Sequence, residues 1–139
     1  MYGEVVVPQA VYRELVVNPD FPEEAEAVKN CEFIRCEQVK NSFAVKILET
    51  DMLLDKGESE ALVLTEDLQA ELLLVDERKA RRVAAQLGLP FIGTLGVLLE
   101  AKRLGLVESL SPLLNALRSN NIHIGDSLTK EVLKRESEI

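Results

Sequence analysis

The sequence contains few residues of the types that form disulfides or zinc sites. Its 139 residues include two cysteines, one histidine and no tryptophan. Cys31 and Cys36 flank the segment CEFIRC, whose alternating pattern predicts a strand with the two thiols on opposite faces. We therefore expect no disulfide between them. His123 has no neighbouring histidine or cysteine in the sequence, so neither a zinc site nor a Cys–His nucleophile is expected around it.

Long apolar runs are also missing from the chain. No run approaches the roughly 20 residues that a membrane span needs, and Met1 is not followed by a basic and apolar leader. We therefore predict a cytoplasmic protein that does not cross a membrane. The net charge of -8 disfavours a general nucleic-acid binder, although it leaves room for local basic patches.

Glycine-rich phosphate-binding loops are absent as well. The segment GTLG, from Gly93 to Gly96, is too short for a P-loop or a dinucleotide motif and carries no lysine. A nucleotide-binding domain is therefore the least favoured of the functions that an α/β fold would allow.

The residues that are present predict one globular domain over residues 1–139. Hydrophobic residues make up 47% of the chain and charged residues 29%, spread along its whole length. Apolar segments typical of strands alternate with helical periodicities, which predicts an α/β fold with a mainly parallel sheet. Strands are expected at 4–7, 31–39, 71–76 and close to 91–92. Helices are expected with Pro8 in the first turn of the first one, then at 22–30 and 41–55, from residue 57 onward within KGESEALVLTEDLQA, and at 78–87, 94–104, 111–119 and 126–134.

Acidic residues recur where strands end or helices begin. Glu14, Glu58 and Asp76 occupy such positions, with Glu60 and Glu77 as near neighbours. Carboxylates that gather in one place repel each other unless a cation compensates, and hard oxygen ligands suit Mg2+ or Mn2+. Metal-assisted phosphodiester hydrolysis would follow from such a site. The alternative is structural, because acids near a helix N-terminus are favourable with the helix dipole alone.

Several ordered segments resemble a known family. VVVPQAVYREL, LLDKGESEALVL, LLLVDERKARRVAAQLGLPFIGTLGVLLEAKRLGLV and the tail SPLLNAL with LTKEVLKR are similar to PIN-domain proteins of the DUF3368-like branch. That branch contains small prokaryotic predicted nucleases related to toxin–antitoxin ribonucleases. The resemblance implies a compact three-layer α/β/α domain whose acids bind Mg2+ or Mn2+ and cut RNA.

The resemblance also implies which residues form the site. Glu14 in VYREL matches the family's acid on the helix after its second strand, and Asp76 in LLLVDERKAR matches the acid at a strand end. Glu58 in KGESEA matches the acid that opens the buried helix, but an offset of two residues would place Glu60 there. The two side chains point about 200° apart on a helix, so only one can face the site, and we favour Glu58. Glu77 stands where similar proteins often carry a second acid.

A basic cluster follows Asp76 directly. It comprises Arg78, Lys79, Arg81 and Arg82. Within the resemblance these side chains would contact RNA phosphates beside the metal. The alternative is a solvated helix face on which Glu77 and Arg81 form an ordinary i,i+4 pair.

One departure from the family pattern concerns the first strand. Relatives begin with a strand that carries an aspartate, followed by a helix, before the segment that corresponds here to MYGEVVVP. Loss of that strand would leave two unpaired edges in the sheet unless they pair with each other or with another chain. A start codon assigned too late, an inactive relative and a sheet completed by dimerisation are three open explanations.

Two functions follow from these observations. The first is a Mg2+- or Mn2+-dependent endoribonuclease, the toxin component of a toxin–antitoxin pair, with RNA as substrate and a small antitoxin protein as partner. The second is a catalytically inactive scaffold of the same fold that binds a partner protein or RNA. A homodimer is compatible with both.

Overall fold

The chain divides into two compact units, residues 1–93 and 94–139. A computed structural model describes residues 2–17, 20–119 and 134 of them. The single domain expected over residues 1–139 stays a prediction. The elements of the first unit are β1 (Val5–Pro8), α1 (Gln9–Val16), α2 (Pro22–Lys29), β2 (Ile34–Glu37), α3 (Ser42–Asp51), α4 (Lys56–Asp67), β3 (Leu73–Leu74), α5 (Arg78–Gln86) and β4 (Phe91–Ile92).

Local signals in the sequence account for the helix boundaries. The Asn41 side chain accepts a hydrogen bond from the N–H of Ala44 at 3.1 Å and so begins α3. Acids in the first turn of α2 suit the positive end of its dipole. Gly88 adopts a φ of +72° directly after α5 and its capping residue, a backbone conformation that favours glycine. Pro8 ends β1 and precedes α1 instead of lying in its first turn.

The four described strands are each parallel to their partner. β1 pairs with β2 in the register Val5 to Ile34, and β3 pairs with β4 in the register Leu73 to Phe91. The α/β fold class expected from the sequence is confirmed, because helices alternate with short parallel strands as in an α/β/α arrangement. These strands form two separate pairs.

The expectation of a continuous, fully covered strand over residues 71–76 is wrong. β3 comprises two residues, and Leu74 is 46% exposed. Leu73 and Val75 donate their N–H groups to carbonyls of the β4 segment, so the backbone of Leu74 points the other way. No strand of the described chain pairs with it on that side. Each residue added to a strand that pairs on one side only gains fewer hydrogen bonds between strands, which is consistent with the short length of β3.

β1 has the same kind of open side. Val5 donates its N–H to the carbonyl of Phe33 beside β2, and the backbone groups of Val6 therefore point away from β2. Within residues 2–17 and 20–119, β1 pairs with β2 alone.

Helix α4 is the central element of the first unit. It packs against α1, α3, α5, β1 and β3, and Leu62, Val63 and Leu64 are buried along it. This confirms the prediction of a helix that is apolar on most sides. Leu62 belongs to the main core cluster, whose buried members are Leu54, Leu62, Leu73, Ala80, Val83 and Ala84. Leu87 is the capping residue of α5 and is 49% exposed.

The second unit contains α6 (Thr94–Arg103) and α7 (Ser111–Ser119). Leu110 and Leu114 form its buried core, and leucines of both helices pack against them. Gly105, with a φ of +77°, follows α6 as the sequence predicted. The helix expected at 126–134 and His123 lie outside the described residues. No helix in the described ranges is long and apolar enough to span a bilayer.

Candidate active site

The first turn of α4 brings two carboxyl groups together. Asp55 caps the helix, and its Oδ1 accepts a hydrogen bond from the N–H of Glu58 at 2.7 Å. The Glu58 side chain lies within reach of the Asp55 carboxyl group, which contributes to a raised pKa of Glu58.

Glu58 has a strongly shifted pKa. Its pKa is raised to about 7, mainly by burial and then by the side-chain hydrogen bond and negative charge of Asp55. The charge of Glu77 contributes to this rise, whereas the charge of Lys79 opposes it. The side chains at the start of α5 therefore act electrostatically on the start of α4. Strongly shifted carboxyl groups are typical of functional sites, although structural pairs show such shifts too.

Glu14 reaches the same turn from α1. The position that a β-carbon would take on Gly57 lies 3.3 Å from Glu14 Oε1 and 3.6 Å from Asp55 Oδ1. Because Gly57 has no side chain, the Glu14 carboxylate lies against the backbone of α4 beside Asp55. The structure therefore brings Glu14 and Glu58, two of the predicted site residues, to the same helix turn.

Glu60 has a different role. This residue is 8% exposed, and its Oε1 accepts a hydrogen bond from the N–H of Ala10 at 3.0 Å. Ala10 lies in the first turn of α1, where backbone N–H groups lack partners within the helix. Glu60 thus provides a hydrogen-bond acceptor for a backbone N–H group at the start of α1, while Glu58 lies beside Asp55. Of the two alternatives at this offset, Glu58 is the acid that faces other acids.

Asp76 lies at the end of β3 and is exposed. Its Oδ1 is 2.7 Å from the position that a β-carbon would take on Gly93, which leaves no room for a side chain there. Gly93 follows β4, the partner strand of β3. The parallel pair β3 and β4 therefore fixes Asp76 against a glycine at the carboxyl ends of both strands, where ligands bind in α/β sheets.

Glu77 caps α5. Its Oε2 accepts a hydrogen bond from the N–H of Ala80 at 2.7 Å, and the backbone N–H groups of Ala80 and Lys79 lower the pKa of this carboxyl group. One carboxylate oxygen of Glu77, a predicted metal ligand, is therefore already used to cap α5.

The donor chemistry of these residues fits a hard divalent cation. Glu14, Asp55, Glu58 and Asp76 offer only carboxylate oxygens, which are the ligands that Mg2+ and Mn2+ favour. In the part of the chain that the structure describes, no three acidic, histidine or cysteine side chains lie close enough together to hold a metal ion. Metal ligation by Glu14, Glu58, Asp76 and Glu77 stays a prediction.

Asp55 is the residue that sequence reasoning missed. It stands three residues before Glu58, and an aspartate followed three positions later by glutamate is the signature of a capping box. That signal predicts the helix start correctly, but it does not indicate that Asp55 raises the pKa of Glu58.

The basic residues of α5 form an exposed face. Arg78, Lys79, Arg81 and Arg82 are all exposed, while Ala80, Val83 and Ala84 are buried on the opposite side. The Arg81 guanidinium lies over the Phe91 ring, 5.4 Å from its centroid, which links α5 to β4. Glu77 accepts a hydrogen bond from the backbone of its own helix, where the alternative interpretation placed a side-chain pair with Arg81.

Comparison with known proteins gives one family. The DUF3368 family model, described as a PIN domain, matches residues 1–138 and so covers almost the whole chain. This confirms the resemblance noted in the sequence and supports a nuclease-type fold. No curated protein matches the chain, and no solved structure does.

Proposed function

The chain belongs to the DUF3368 family of PIN domains, and from this membership and its acidic cluster we propose that it is an endoribonuclease dependent on Mg2+ or Mn2+. One observation carries the proposal: the carboxyl groups of Glu14 and Asp55 lie close to Gly57 at the first turn of α4, next to Glu58, whose pKa is strongly raised. A turn that gathers acids in this way stores repulsion that a divalent cation would relieve.

The residues divide into binding and positioning roles. Glu14, Glu58 and Asp76 would hold the ion, with Glu77 at its edge through the oxygen that does not cap α5. A bound ion would supply an activated water and stabilise the leaving oxygen of a phosphodiester. Asp55 accepts a hydrogen bond from the backbone N–H of Glu58 and raises the pKa of its side chain. Gly57 leaves room for the carboxylate of Glu14, and Gly93 leaves room for that of Asp76.

The exposed cations of α5 would position the RNA. Arg78, Lys79, Arg81 and Arg82 lie on the helix that directly follows Asp76, so phosphates bound there would lie beside the acidic turn. The net charge of -8 describes the whole chain. It is compatible with a local positive patch on α5, because most of the acids lie in other parts of the sequence.

An RNA cleavage assay on the purified chain tests this proposal. We expect cleavage with Mg2+ or Mn2+ that EDTA abolishes and that falls at least about tenfold in Glu58→Gln and in Asp76→Asn. Glu71→Gln is the matched control, since Glu71 is an exposed acid before β3 with no place in the site. Cleavage that persists in both site variants, or in EDTA, would contradict the proposal.

An inactive scaffold is the second candidate. It is favoured by the spacing of the acids, because the described side chains do not form a group of three that could hold a metal. Thermal unfolding of the wild type with increasing Mn2+ separates the two candidates, since a ligand of the native state raises the melting temperature. A constant melting temperature at millimolar Mn2+, together with no cleavage, would establish the scaffold.

The proposed biological setting is a toxin–antitoxin pair in the cytoplasm. The chain would be the toxin component, RNA its substrate, and a small antitoxin protein its partner, with a homodimer as the assembled form. Induction of the chain in a bacterial host tests the toxin role. We expect growth arrest with the wild type and normal growth with Asp76→Asn, and equal growth would contradict the role.

A further inference from the structure

A groove lies between α3 and α4, away from the acidic turn. It encloses a cavity of about 350 Å³, and none of the candidate site residues line it. Ala44, Ile47 and Leu48 form its α3 side, and Leu62 and Val63 form its α4 side. Its remaining lining residues are Asn41, Glu66, Asp67 and Leu87.

The groove and its border expose unusually large apolar side chains. Ile47 is 40% exposed and Leu87 is 49% exposed. Phe43, four residues before Ile47 and so on the same side of α3, is 73% exposed. Large apolar side chains that are exposed together, rather than singly, indicate a surface that binds something.

Two acids lie at one end of this apolar surface. Glu66 and Asp67 occupy the last turn of α4, where the helix dipole disfavours negative charge, and the turn contains no basic residue. Neither acid has an ion pair with any described residue, and both are exposed. A positively charged group bound here would relieve both the dipole repulsion and the mutual repulsion of the acids.

The shape of the groove selects the form of its occupant. Its walls are two helices whose backbone groups are bonded within the helices, so an added strand would find no free edge. Recognition must therefore use side chains, as when the apolar face of an amphipathic helix enters a hydrophobic groove. The acidic end excludes nucleic acid by repulsion of phosphates.

We propose that this groove binds a short basic amphipathic helix of a partner protein. Apolar residues of that helix fill the cavity against Ile47 and Leu87, and its lysines or arginines pair with Glu66 and Asp67. A second copy cannot supply such a helix through α5, because the apolar residues Ala80, Val83 and Ala84 of that helix are already buried.

A model peptide provides the probe. A fluorescein-labelled helix of about 18 residues, with leucine on one face and lysine on the other, is long enough to be helical and is titrated by anisotropy. The same leucine pattern with glutamate in place of lysine is the acidic counterpart. We expect the leucine and lysine peptide to bind at least about tenfold more tightly than the glutamate peptide.

Matched variants locate the binding. Glu66→Lys with Asp67→Lys should weaken binding of the basic peptide at least about tenfold, because both cation partners are reversed. Glu32→Lys with Glu71→Lys makes the same change in net charge at exposed positions elsewhere and should leave binding within about twofold of the wild type. Ile47→Asp should also abolish binding, whereas Val17→Asp, at another exposed apolar position, should not.

Stability measurements guard against a folding artefact. Reversal of Glu66 and Asp67 places cations at the helix C-terminus, so the melting temperature should rise as peptide binding falls. Equal weakening by the two double variants would show attraction to net charge alone and overturn the proposal. Dimerisation of the wild type that Ile47→Asp abolishes would also overturn it, because the occupant would then be a second copy.

Discussion

The buried carboxylate of Glu60 accepts a hydrogen bond from the backbone N–H of Ala10, 50 residues away in the sequence, at 3.0 Å. This bond joins α4 to the start of α1, the helix that carries Glu14. We expect Glu60→Ala to lower the free energy of unfolding by about 1 to 3 kcal/mol, because a partly buried N–H loses its acceptor. Denaturant unfolding measures the change, and Glu60→Gln, which keeps an acceptor oxygen, should recover much of it.

Glu58 should make stability depend on pH in the opposite direction from a typical acid. Its pKa in the folded chain is raised from 4.5 to about 7, so the folded state binds more protons than the unfolded state between these values. The contribution of its protonated form is complete below pH 4.5 and is lost as pH rises through 7. Glu58→Gln should therefore gain stability relative to wild type between about pH 4 and pH 8, by about 1 kcal/mol after allowance for solvent screening.

Asp51→Asn provides the comparison for the pH experiment. Asp51 is an exposed acid at the end of α3. Its substitution should leave the slope of stability against pH, between about 5 and 8, as it is in the wild type. A Glu58→Gln variant with the wild-type slope would show that the pKa of Glu58 is not raised in the folded chain.

Gly93 should matter for the site more than for the fold. A β-carbon at this position would lie 2.7 Å from Asp76 Oδ1, closer than such atoms approach, so the carboxylate of Asp76 must move. We expect Gly93→Ala to weaken Mn2+ binding at least about tenfold by calorimetry. Gly105→Ala is the contrasting variant, because φ of +77° strains an alanine while no described neighbour lies near the added carbon. It should lower stability and leave Mn2+ affinity unchanged.

Two buried hydroxyl groups on α4 should respond oppositely to removal. Ser59 is fully buried and its Oγ has no hydrogen-bond partner among the described residues, whereas Thr65 Oγ1 donates to the carbonyl of Ala61 at 2.7 Å. An unsatisfied buried hydroxyl is unfavourable by about 1 kcal/mol or more. Ser59→Ala should therefore raise the free energy of unfolding by about 1 kcal/mol, and Thr65→Val should lower it by a similar amount. A decrease in stability in Ser59→Ala would show that its hydroxyl is satisfied.

The α5 cations should determine the salt dependence of RNA binding. Removal of one cation that pairs with a phosphate lowers the slope of log affinity against log salt by about 0.7 for a single strand. Arg78→Gln with Arg82→Gln should reduce the slope by roughly 1 to 2 units, measured by filter binding from low to moderate salt. Lys29→Gln with Lys40→Gln removes the same charge elsewhere and should change the slope little. Equal changes in both double variants would assign the effect to net charge.

The helices were predictable because their signals are local. The apolar positions of α5, the capping position of Asn41 and the glycine after α6 are each encoded within a few residues. Strand length was not predictable in this way. The apolar run before Asp76 indicates a strand, but its extent depends on whether a second neighbour pairs with Leu74, and no local pattern contains that information.

The site shows the same division between local and long-range information. Positions at a helix start and a strand end identified Glu58 and Asp76 as candidates, whereas Glu14 lies in the last turn of α1 and matched the family's acid through the resemblance. The distinct roles of Glu58 and Glu60 depend on contacts with Asp55 and with Ala10, and the second of these crosses 50 residues. Spacing on one helix shows that the two acids face different ways, but it does not show what each one meets.

The central position of α4 has a consequence for cooperativity. Because this helix touches both strand pairs and three other helices, neither pair can separate from the first unit without disturbing it. Local opening of α4 should therefore be as rare as global unfolding of that unit, and its amide hydrogens should exchange last. The same helix begins with the acidic turn, so that turn is anchored to the slowest-exchanging segment of the unit.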